Sequence, residues 1–188
     1  MLGPMMCKRR KPLGFTLIEL LVVIALVAIV LALAAPSFTS TLARKRLEGV
    51  ASELATDLHY ARSEAMQRDA SVGVVFGTNC YVIFSPVDWE APAANCASAM
   101  GAGALKRVDI DGGTSLNFVP SVAGALMAFD PVGGMAVGGL TATDDFSGHV
   151  NATSSAGNWV IRAQVTKLGR ARLCSPNNTI AGLATDCL

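Results

Sequence analysis

Residues 14–36 read GFTLIELLVVIALVAIVLALAAP. From Phe15 to Ala35 the run holds 21 residues, and Thr16 and Glu19 are its only polar members. At about 1.5 Å of rise per helical residue it reaches about 30 Å, the thickness of a bilayer's hydrocarbon core. The run reads as a transmembrane helix. Glu19 is its odd member, because a carboxylate in hydrocarbon is costly and marks function where it is kept. The residues alone leave a second explanation open: an acid in a first helical turn, favoured by the helix dipole and reaching back to the headgroups.

The flanks orient the span. Lys8, Arg9, Arg10 and Lys11 lie just before it, and Arg44, Lys45 and Arg46 follow at a greater distance. The nearer cluster predicts a cytoplasmic N-terminus. Without residues 1–14 the chain carries 11 basic and 14 acidic residues, a formal −3. That balance excludes a generally basic nucleic-acid binder, so any such role must come from a local patch. At 188 residues the chain suits one domain with an appendage.

Cys7 lies before the span, and Cys80, Cys96, Cys174 and Cys187 lie beyond it. Four cysteines allow three pairings. The local one, Cys80–Cys96 with Cys174–Cys187, is the expectation, and disulfides imply an oxidising compartment such as the periplasm. Four buried free thiols are the other reading. No Cys/His spacing suggests a zinc site.

The helix is expected to continue past the span. Leu47, Val50, Leu54, Leu58, Ala61 and Ala65 step by three and four and describe one face. Glu53, Asp57 and Arg62 fall off that face, and Glu64 and Arg68 form a favourable pair one turn apart. A helix from about Phe15 to Arg68 follows, loosened at Pro36 and weakened at Gly49. Beyond it the chain reads as strands: SVGVVF and CYVIF around Gly77-Thr78-Asn79, then LKRVDI and SLNFV around Asp111-Gly112-Gly113. LMAFD, GGMAVGG and FSGHV are shorter, and NWVIRAQV and GRARLC close the set, joined by Thr166, Lys167 and Leu168. Residues 85–104 read as a loop. One long helix and seven or more short strands make an α+β fold.

KPLGFTLIELL, residues 11–21, resembles the prepilin-peptidase recognition sequence of type IV pilins and type II secretion pseudopilins. The resemblance implies a type IV pilin-like fold, with the helix packed on an antiparallel β-sheet domain. It implies cleavage after Gly14, N-methylation of Phe15, and Glu19 pairing with the amino terminus of a neighbouring subunit during assembly. It divides the chain into a leader (1–14), a transmembrane and filament-core helix (15–36), an amphipathic continuation (37–69) and a periplasmic β-rich domain (70–188). Its partners would be other pilin or pseudopilin subunits, the prepilin peptidase and the bacterial inner membrane.

LHYARSEAMQRD, FDPVGGMAVGG and WVIRAQVTKLGRARLC are similar to segments of the FimT/GspH branch. In FimT-like minor pilins of natural transformation a G-R-x-R motif, here Gly169 to Arg172, is associated with DNA binding. Arg170 and Arg172 share a face if extended. Lys167 lies just ahead and Arg162 on the preceding strand, so DNA is a candidate partner through phosphate contacts. The same arginines could instead pair with Asp130, Asp144 or Asp145, and Trp159 is the only aromatic residue nearby to stack a base. The expected role is a FimT-like minor pilin, and the alternative is a GspH-type pseudopilin of type II secretion. His59 and His149 stand alone, and the glycines from Gly133 to Gly139 precede no phosphate-loop lysine. No catalytic residue, metal or cofactor is expected.

Overall fold

A computed structural model of the chain describes residues 14–88, 93–101, 103–119, 126–139 and 148–187. Its first element, α1, spans Leu17–Arg68. Thr16 caps it, its hydroxyl accepting the Glu19 amide N–H at 3.3 Å. This is one half of a Thr-x-x-Glu capping box. At the far end Asp69 takes a left-handed conformation (φ 51°), and the Ala70 amide donates to the Ala65 carbonyl at 3.4 Å. That closure satisfies a last-turn carbonyl and stops the helix.

The residues of α1 fall into two compact units, Met1–Thr39 and Ser40–Leu188. In the first, the large apolar side chains from Phe15 to Leu33 are exposed on all sides. Among the described residues no single helix is long and apolar enough to cross a membrane, and the stretches Leu17–Leu33 and Phe38–Arg68 pass that test only as a pair. Pro36 lies in the interval between them.

In the second unit Leu47, Ala51, Leu54, Leu58, Ala61 and Ala65 are buried to 1% exposure or less. Their steps of four and three form a straight seam along the helix. Ala51 holds the central place the sequence reading gave to Val50, which packs half-buried at the border. Asp57, expected off the apolar face, is buried. It lies three residues from Leu54 and four from Ala61, hence beside the seam.

Nine strands follow: β1 (Val72–Phe76), β2 (Cys80–Phe84), β3 (Ala104–Asp109), β4 (Thr114–Val119), β5 (Leu126–Phe129), β6 (Ala136–Gly139), β7 (His149–Ser154), β8 (Val160–Val165) and β9 (Ala171–Cys174), all described residues. They make two antiparallel sheets. One has the order β3-β2-β1-β5-β6, the other β4-β7-β8-β9. The Asp111-Gly112-Gly113 turn therefore joins two sheets rather than two neighbouring strands. Both its glycines have positive φ, which side chains other than glycine rarely adopt. β7 begins in the FSGHV segment and runs on through Ser154; residues 146 and 147 lie outside the described set.

One core joins the α1 seam to both sheets, with Tyr81, Ile83, Met127 and Phe129 from the first and Val150, Ile161 and Val165 from the second. The reverse face of the five-stranded sheet is also buried, by Val75, Val82, Phe84, Leu126 and Ala128. Its cover corrects the loop reading of 85–104. A short helix, α2 (Cys96–Gly101), places Cys96 and Ala99 on that face. Asn95 caps it, accepting the Ser98 amide at 2.9 Å, and a Cys80–Cys96 disulfide pins it to β2. Two covered faces explain why β1 and β2 are apolar almost without alternation. The second disulfide, Cys174–Cys187, ties the C-terminal tail to β9. The leader before Gly14, Cys7, Asp144 and Asp145 lie outside the described residues.

Candidate functional site

Two regions carry the sequence-derived candidates. In the first, Gly14 and Phe15 stand exposed just before α1, and Glu19 sits in its first turn. Among the described residues the Glu19 carboxylate makes no hydrogen bond or ion pair, while its own amide is held by Thr16. Thr16 escaped the sequence reading, although Thr-x-x-Glu ahead of an apolar run signals a helix start. The arrangement fixes the acid's place on the helix.

The second region is the β8–β9 hairpin. Gln164 pairs with Arg172 and Arg162 with Cys174, so Arg162 and Arg172 are diagonal neighbours on the outer face of the four-stranded sheet. Arg162 is already engaged, donating to Asn151 Oδ1 at 3.0 Å across to β7. Arg170 and Arg172 are exposed and make no ion pair among the described residues. Asp130 is not their partner, since its Oδ1 accepts the Val132 amide at 2.9 Å. Arg172 and Asp186 line the same small pocket. Lys167 and Arg170 lie in and beside the turn.

Gly169 has a packing role. Its φ is +70°, and a Cβ there would lie 2.0 Å from the Gly134 carbonyl oxygen. Arg62 of α1 donates to that same oxygen at 2.9 Å and to the Gly133 carbonyl at 3.3 Å. The Ala136 amide donates to the Lys167 carbonyl at 3.1 Å. Helix, β5–β6 turn and β8–β9 turn thus meet at one point. His149, half-buried on β7, has its pKa lowered by burial and then by the nearby Arg162 charge.

A third cluster was not legible in the sequence. Asp57 accepts the Tyr81 hydroxyl and the Lys106 ammonium, each at 2.7 Å, with Glu53 3.6 Å from Lys106. Burial pushes the Tyr81 hydroxyl's pKa above its ordinary value, and the bond to Asp57 adds to it. The bond to Asp57 likewise raises Lys106. No spacing joins residues 57, 81 and 106; only the pairing of β2 with β3 over α1 does.

A capped apolar helix running into an amphipathic one that packs on antiparallel sheets defines a pilin-like protein. Comparison narrows this. The family model of the type II transport protein GspH matches residues 50–169, and that of the prokaryotic N-terminal methylation motif matches residues 9–35. The chain belongs to the GspH family. No curated protein matches the sequence significantly. Among solved structures it is similar to the minor pseudopilin EpsH from the type 2 secretion system of Vibrio cholerae, at 12% identity and a TM-score of 0.46, over 71% of this chain and 99% of that one. The family match over residues 50–169 favours the GspH reading over the FimT reading of the sequence.

Proposed function

We propose that the chain is a minor pseudopilin of a type II secretion system, cut after Gly14, methylated at Phe15, and held in the inner membrane by residues 15–36 until it enters a filament. The observation that carries this reading is a methylation motif over residues 9–35 and a GspH match over residues 50–169 on one chain. The exposed apolar helix supports it, because side chains from Leu17 to Leu33 need lipid or neighbouring helices around them. In this reading Glu19 meets the new amino terminus of the next subunit. A carboxylate in hydrocarbon gains much from an opposite charge and costs heavily without one. The domain, the cytoplasmic N-terminus and the periplasmic sheets follow from the same reading.

Glu19→Gln tests it, because the amide keeps the helix start and removes the charge. The variant is expected in membranes at normal level and strongly depleted from sheared filaments. Normal incorporation would refute the pairing.

A second reading, DNA binding, rests on Arg162 and Arg172 sharing an outer sheet face on which the strands place no carboxylate. Contacts this few would give weak, salt-sensitive binding. Full-length protein in detergent, wild type against Arg170→Ala/Arg172→Ala, decides it. Absence of a salt-dependent shift with wild type removes this reading.

A further inference from the structure

The β7–β8 turn and the chain just after β9 meet at one end of the four-stranded sheet. Between them lies an open cleft of about 320 Å³, with Trp159, Asn158, Asn177, Thr153 and Ser154 in its walls. None of its lining residues is charged. Clefts that take small ligands run from about 300 Å³ upward.

Trp159 is the apolar wall. It is half-buried and packs against the main core. Gly157 decides how the indole lies, because a Cβ there would come within 2.8–3.0 Å of three atoms of the six-membered ring. A larger residue at 157 would push the ring out of place. The turn is closed on itself: the Ser154 amide donates to the Trp159 carbonyl at 3.3 Å, and Ser154 Oγ accepts the Ala156 amide at 3.3 Å.

The opposite wall is held as firmly. Ser175 is fully buried; its hydroxyl donates to the Val160 carbonyl at 3.4 Å and its amide to the Ala184 carbonyl at 2.9 Å. The Asn178 amide donates back to the Ser175 carbonyl at 3.0 Å, with Asn178 in a left-handed conformation (φ 51°). That turn presents Asn177, whose side-chain nitrogen donates to the Asn158 carbonyl at 3.4 Å and joins the two walls. A site set in advance loses little entropy on binding.

Among the described residues the Trp159 indole N–H, the Asn158 carboxamide and the Asn177 side-chain oxygen make no hydrogen bond. The cleft thus offers one flat apolar ring beside neutral donors and acceptors. A phosphate or carboxylate would find no cation in its walls, and a nucleic acid needs several. A pyranose fits. Its ring hydrogens give it an apolar face for the indole, and its rim hydroxyls both donate and accept. We propose that this cleft binds a neutral carbohydrate, packed against Trp159 and hydrogen-bonded by Asn158 and Asn177. The site goes beyond the secretion reading and does not rest on it.

The test uses the full-length chain in a detergent without a sugar headgroup. The probes are neutral oligomers of β-1,4-linked glucose, α-1,4-linked glucose and β-1,4-linked N-acetylglucosamine. The chain has two tryptophans, so Trp89→Phe leaves Trp159 as the only indole that emits. The expected result is a saturable change in that emission with at least one oligomer, at the affinity calorimetry gives for wild type. Trp159→Ala should abolish the calorimetric signal. Asn177→Ala should weaken binding about tenfold, the loss of one hydrogen-bonding partner. Asn177 is exposed, so its variant decides the matter even where the Trp159 change costs stability, and an unchanged thermal melt verifies its fold. No saturable response to any of the three oligomers, an affinity indifferent to Asn177→Ala, or a stronger response to a single-stranded oligonucleotide or a uronic-acid oligomer than to every neutral sugar would each overturn it.

Discussion

The Tyr81 hydroxyl donates to Asp57 Oδ2 at 2.7 Å, joining β2 to α1 inside the core. It fixes the helix, beside its apolar seam, to the sheet by direction as well as by burial. Lys106 completes the cluster from β3 on the other carboxylate oxygen. A buried acid with two donors is satisfied, and removing either side exposes the cost of desolvation.

Asp57→Ala is expected to destabilise the domain by about 2–3 kcal/mol, since it leaves a buried hydroxyl without an acceptor. Tyr81→Phe should cost about 1.5–3 kcal/mol by taking one donor from a charged acceptor. Lys106→Met should cost least, about 1 kcal/mol or less, because its ammonium reaches water. Urea unfolding with the disulfides intact measures all three, and the order matters more than the values.

Alkali should weaken the same cluster. Tyr81 and Lys106 both hold their protons more tightly folded than unfolded. Above about pH 10 the unfolded chain therefore releases protons that the folded chain keeps, and stability falls as pH rises. Their contribution is intact below that pH. Stability measured from pH 8 to 11 should decline in wild type and more shallowly in Tyr81→Phe.

Gly169→Ala should destabilise the domain by about 2 kcal/mol or more, combining positive φ with a clash against the Gly134 carbonyl. Gly182→Ala is the control. Gly182 has φ +92° but open space around it, so only backbone strain of about 1 kcal/mol applies. Equal losses at both sites would remove the packing role of Gly169.

The helix and its seam were legible because apolar spacing of three and four survives any tertiary arrangement. The strands were legible from β-branched runs and turn residues. Their division into two sheets was not. Asp111-Gly112-Gly113 reads the same whether it closes a hairpin or crosses between layers. Helix α2 was missed because CASAMG has little periodicity of its own and is held by Asn95 and the Cys80–Cys96 bridge. Asp57 and Lys106 are 49 residues apart, so only the strand register brings them together. At the candidate sites the Gly14–Glu19 motif was legible as a contiguous string. In the G-R-x-R string the glycine's packing against Gly134 depends on a turn 35 residues earlier.

Removing the Cys80–Cys96 bridge by changing both residues to Ser should cost about 2–4 kcal/mol. It should also make residues 85–104 the first site of limited proteolysis, since α2 then loses its covalent tie to β2. Proteolysis that still begins elsewhere would contradict that role for the bridge.

The central claim is that the apolar helix is a processed assembly element. Its most direct test is the N-terminus of the protein isolated from cells that carry a prepilin peptidase, read by mass spectrometry. The account predicts a chain beginning at N-methylated Phe15. A mature protein that still carries residues upstream of Phe15 would contradict it.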